Sequence, residues 1–180
     1  MNKNILWITR TAVFTALLIV MQAVTAPLGN TMITGSIVNL ILICAVMISG
    51  PASGLTVAAI SPVFAKLFGI GPLWTLIPFI MLGNMVLVLV WHFAGNRLPA
   101  QKYIAYIAAA VCAAVAKFCV LYVGIVQIAV PLLLQLPEKQ AAVISGVFSV
   151  PQLFTALIGG AVAVILLPLL KKAVKGKRSV

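Results

Sequence analysis

The sequence predicts an all-α integral membrane protein with six transmembrane helices and both termini in the cytoplasm. Three observations carry that expectation. Of 180 residues, 64% are apolar and only 7% charged, against about 25% charged in a soluble domain. Mean hydropathy is +1.26. The cations, 12 Lys or Arg against a single acid, Glu138, mostly flank apolar runs.

A membrane-spanning helix needs about 20 predominantly apolar residues. Six stretches qualify: 9–28, 32–49, 52–69, 73–95, 102–128 and 140–170. Gly29-Asn30-Thr31, Gly50-Pro51, Ile70-Gly71-Pro72 and residues 96–101 supply the first four turns, with glycine and proline punctuating most of them. After Ile128 the chain carries Pro131 and Pro137 and is expected to form an irregular cap. The last stretch is too long for one straight crossing, and Pro151, Gly159-Gly160 and Pro168 are the expected places for a bend or an end. The whole chain reads as one six-helix domain, with 171–180 as a basic cytoplasmic tail.

Orientation follows from the charges. With the N-terminus inside, Lys3, Arg10, Arg97, Lys102, Lys171, Lys172, Lys175, Lys177 and Arg178 fall on the cytoplasmic side and only Lys139 in an outer loop. That asymmetry satisfies the positive-inside rule for an even number of spans. The N-terminal stretch reads as the first helix, without the cleavage site of a signal peptide. The tail reads as an anchor to anionic lipid.

Composition also excludes chemistry. There is no Asp, one Glu and one His, so paired carboxylates and nucleophile–His–acid triads cannot be assembled. A carboxylate-bound metal is excluded on the same count, and no cofactor is expected. Cys44, Cys112 and Cys119 lack metal-ligand spacing and read as small core residues. Nucleic-acid binding would need a clustered basic face on a soluble domain, which this chain lacks. No GxxxxGK[ST] loop is present, so ATP coupling has to come from partner subunits. Transport or ligand capture is the class that remains.

Two cations are left over, Lys66 and Lys117. Lys66 lies 14 residues beyond Ala52 and Lys117 lies 15 beyond Lys102, which at 1.5 Å per residue puts both about 21–23 Å above the cytoplasmic end. A lysine at that depth is costly unless paired or hydrated. Lys66 has a second reading, snorkelling to the outer headgroups; Lys117 is deeper in its helix and reads as a cation for an anionic or acceptor-rich ligand. Asn39, Trp74, Asn84, Ser145, Ser149 and Gln152 on descending helices, Gln22, Thr25, Tyr122 and Gln127 on ascending ones, and Asn30 and Thr34 at the first turn share the outer half. Singly, such residues are helix–helix glue. Collectively they outline a pocket whose expected contacts are Lys117, Lys66, Asn84, Trp74, Asn39, Gln152, Tyr122, Asn30 and Ser149. Inner-half polarity is sparse, with Thr56, Ser61 and His92 the main cases. His92, beside Trp91, reads as an interface histidine.

The opening Thr9-Arg10-Thr11-Ala12-Val13-Phe14-Thr15-Ala16 and the turn Ser49-Gly50-Pro51-Ala52-Ser53-Gly54 carry a family likeness. With the length and the six-span architecture, the sequence resembles the substrate-binding S component of energy-coupling factor (ECF) transporters, the vitamin and micronutrient importers of bacteria and archaea. The resemblance implies a multi-pass protein of the prokaryotic cell membrane, without enzymatic activity. It also implies a small vitamin-like substrate, a transmembrane coupling protein and two ATPase subunits as partners. Ala12 and Ala16 match the AxxxA face of the family's first helix and are implied as coupling-protein docking residues. Uptake would proceed by toppling of the loaded subunit in the bilayer. A structural or morphogenetic membrane scaffold, and a stand-alone facilitator or exporter, remain open as alternatives.

Overall fold

The computed structural model describes residues 3–69, 73–97 and 102–176. Seven α-helices follow in order: α1 (Lys3–Thr25), α2 (Thr31–Ser49), α3 (Pro51–Leu67), α4 (Ile77–Arg97), α5 (Lys102–Leu121), α6 (Glu138–Val147) and α7 (Val150–Gly176). Short 3-10 turns at Ala26–Leu28 and Trp74–Leu76 join α1 to α2 and lead into α4, and a π-helical segment, Tyr122–Leu134, prolongs α5. No strand occurs among the described residues.

Local chemistry sets the boundaries. Gly29 takes φ +63°, a left-handed conformation that closes the turn after Leu28. The Asn30 carboxamide then caps α2, accepting from the N–H of Met32 at 3.0 Å and of Ile33 at 3.4 Å. Gly50, at φ +94°, ends α2, and Pro51 opens α3 where its missing N–H costs nothing.

Among the described residues, five stretches are long and apolar enough to cross a bilayer: Asn4–Leu28, Thr31–Ser49, Trp74–Asn96, Tyr103–Leu134 and Glu138–Val174. The expected third span, α3, is apolar but has only 17 residues, about 26 Å of helix against a hydrocarbon core of about 30 Å. Ile5, Val13, Val20 and Val24 on α1, Ile104, Ile107 and Val111 on α5, and Phe154, Ile165 and Leu169 on α7 are all exposed. Large aliphatic side chains on the outer surface of several helices suit acyl chains, not water. The interior is packed from Leu18, the continuous run 41–47, Val57, Leu87, Val88, Trp91 and the alanines of α5.

α4 lies against α5, α2 against α7 and α5 against α7, while α1 packs mainly on α2 and α3 at the periphery. Two glycines let backbones approach. A Cβ on Gly159 would stand 2.6 Å from the Ser36 carbonyl oxygen, and one on Gly54 would stand 2.6 Å from Val46 Cβ.

The structure departs from the expected spans in four places. The first helix begins at Lys3 rather than at residue 9. Helix continues through Ile128 and Pro131 to Leu134, where an irregular cap was expected, and stops at Gln135, φ +43°. The stretch 140–170 is broken after Val147, so that Pro151 sits in the first turn of α7, where its ring is tolerated. Past that break α7 runs unbroken through Gly159-Gly160 and Pro168 to Gly176; the glycine pair serves contact with α2 and α5 instead of a bend. Cys44 is buried as expected, but Cys112 and Cys119 are exposed on the outer surface of α5. The expected turns at 70–72 and 98–101, and tail residues 177–180, lie outside the described residues.

Candidate substrate cavity

α1, α3 and α5 run one way and α2, α4 and α7 the other, so Lys3, Arg97, Lys102 and Lys171 gather at one end of the bundle. The opposite end holds a cavity of about 540 Å³. Its rim is the α1–α2 turn with Pro27, Asn30 and Thr34, together with Phe68 and Gly69 at the end of α3. Its floor and far wall are Asn39 of α2, Ser61 and Pro62 of α3, Asn84 of α4, Lys117 of α5, and Phe148 and Gln152 around the start of α7.

Lys117 organises this wall. It is 4% exposed, and its ammonium donates to Asn39 Oδ1 at 2.6 Å and to Asn84 Oδ1 at 2.8 Å. Asn39 Nδ2 donates in turn to Thr155 Oγ1 at 3.3 Å, and that hydroxyl donates to the Gln152 carbonyl at 3.0 Å. α2, α4, α5 and α7 are thereby tied to one cation by neutral acceptors alone. The single acid, Glu138, is exposed at the start of α6. An ammonium has three donors, so one remains for an acceptor in the cavity that Lys117 lines.

Of the nine expected contacts, Lys117, Asn39, Asn84, Gln152 and Asn30 line this cavity. The other four stand outside its lining. Lys66 is half-buried in the last turn of α3. Trp74 is 57% exposed. Tyr122 stacks on Phe118, ring centroids 5.6 Å apart, and Ser149 donates to the Ser145 carbonyl within its own segment. Ser61, counted with the inner half, lines the cavity and is buried, because the cavity reaches more than a turn deeper along α3 than Lys66. Thr155 and Phe148 belong to the site although the sequence reading passed over them. Thr155 falls three residues after Gln152 on the same helical face, a spacing that could have found it. Ala12 and Ala16 are both exposed on the peripheral helix α1.

A polar, cation-bearing cavity at one end of a helical bundle with an apolar outer surface has the geometry of a small-molecule site in a membrane protein. The chain belongs to the ECF transporter family: the family described as "ECF transporter, substrate-specific component" matches residues 7–171. It is therefore a multi-pass plasma-membrane component of transport, partnered in that family by ECF module subunits and a small-molecule substrate. Neither the curated proteins nor the solved structures give a significant match.

Proposed function

We propose that this chain is the high-affinity capture subunit of an ECF importer and takes its substrate into the Lys117 cavity from outside the cell. The carrying observation is a buried ammonium, paired only with neutral carbonyls, in the wall of a cavity large enough for a vitamin-sized molecule. Such a cation suits an anionic or acceptor-rich vitamin or micronutrient, which brings the missing negative charge with it. All six apolar helices then cross the membrane as one domain with both ends in the cytoplasm, α3 as a short span. Delivery follows by toppling against a coupling protein driven by two ATPases. Ala12 and Ala16, small and exposed on α1, suit close approach of a helix of that coupling protein.

The test is a thermal-shift screen of the purified chain against vitamins. Lys117→Ala is expected to weaken the stabilising vitamin by about a hundredfold or more, in line with removal of a buried charge partner; unchanged affinity overturns the assignment. Replacing Ala12 and Ala16 together by Trp is expected to leave that binding intact and to abolish ATP-dependent uptake with the partner complex. Retained uptake would remove α1 from the docking interface.

A further inference from the structure

Gln22 is a member of the cavity wall that stands outside the Lys117 network. It lies near the end of α1, is 6% exposed and lines the cavity. Its Oε1 is buried and has no hydrogen-bond partner among the described residues. Folded proteins pair nearly all such atoms; a turn of the carboxamide brings this orphan acceptor to the cavity, where a donor carried by the occupant can pair it. Lys117 makes the opposite demand, since its remaining N–H needs an acceptor. A glutamine carboxamide also carries N–H donors beside its oxygen. An occupant edge with an N–H next to a C=O therefore pairs with Gln22 whichever way the amide is turned. Pro27, Pro62, Ile80 and Phe148 supply apolar surface elsewhere in the same cavity, as a ring would require.

Resting on the capture reading above, we propose that the occupant is a small anionic ring compound with an amide-like N–H/C=O edge. Its anionic group meets Lys117 and its amide edge meets Gln22, which makes Gln22 the specificity-determining residue. A purely aliphatic acid, or a ring acid without an N–H donor, leaves the Gln22 oxygen unpaired and binds more weakly.

The full chain in lipid nanodiscs is titrated with two matched pairs: orotate with 1,3-dimethylorotate, and pyroglutamate with N-methylpyroglutamate. The expected result is that at least one N–H member binds about tenfold or more tightly than its N-methyl partner. Gln22→Met should bring that ratio to about one by weakening the N–H member alone. Gln22→Glu keeps an acceptor and should keep the preference, while repelling both acids. Ligand-free unfolding midpoints report whether each variant folds, and the wild-type ratio decides if Gln22→Met does not. Equal affinities within both pairs, a ratio unchanged in folded Gln22→Met, or no binding of either N–H acid at millimolar concentration overturns the proposal. Mass spectrometry of small molecules extracted from the purified chain separates the two readings. A bound compound lost in Lys117→Ala upholds capture even when both pairs fail, and then only the amide-edge class falls.

Discussion

Lys66 and Lys117 lie equally far along their helices, yet they end in opposite environments. α3 stops at Leu67, so Lys66 occupies its last turn and is half-buried, where a cation complements the partial negative charge of a helix C-terminus. α5 is continued by 13 π-helical residues, so Lys117 lies mid-helix with its ammonium held by α2 and α4. The first keeps a route to headgroups or water. The second is held by Asn39 and Asn84 and opens only toward the cavity. Depth counted along a helix thus says little about the surroundings of a lysine; what matters is how far the helix continues beyond it and what packs alongside.

The contrast is broken most severely by removing both acceptors. In Asn39→Leu/Asn84→Leu the Lys117 ammonium is left buried without a protein partner, a defect costing about 3–5 kcal/mol. The thermal-unfolding midpoint in detergent should fall steeply, and adding Lys117→Met should restore most of it. A double variant as stable as wild type would show that Lys117 reaches water and differs little from Lys66.

A smaller effect comes from the packing that positions one of those acceptors. A Cβ on Gly159 would lie 2.6 Å from the Ser36 carbonyl oxygen and 2.9 Å from Asn39 Cβ. Gly159→Ala therefore pushes α2 from α7 and Asn39 from Lys117. The expected loss is about 1–3 kcal/mol in unfolding free energy, the usual range for overpacking, with weaker substrate binding alongside. Unchanged stability would mean that α2 and α7 yield freely at this crossing.

How much of this was legible in the sequence depends on the range of the interactions involved. Composition and charge placement announced the helical membrane class, because lipid imposes apolar runs on any spanning helix. Lys117, Asn39 and Asn84 were legible as well, since polar side chains in such runs need partners. Which partners they take was not. Asn39 and Lys117 are 78 positions apart, and their meeting depends on the α2–α7 and α4–α5 crossings. Trp74 and Tyr122 fall outside the cavity lining, because depth alone cannot tell one face of a helix from another. The break between α6 and α7 was hidden because hydropathy runs through it unchanged, while Gly159-Gly160 suggested flexibility and instead provided close packing.

The smallest expected effect is the sharpest check on the comparison between the two lysines. Lys66→Gln removes a cation of the same type from the corresponding position along its helix. The Lys66 side chain does not line the cavity and donates no hydrogen bond among the described residues, so its loss should leave substrate affinity within about twofold. Stability should change by no more than about 0.5 kcal/mol, the scale of a surface substitution or of a cation at a helix end. Titration of Lys66→Gln beside Lys117→Gln measures both at once. A large loss of affinity in Lys66→Gln would mean that the end of α3 folds inward over the bound molecule, and that the cavity takes two cations instead of one.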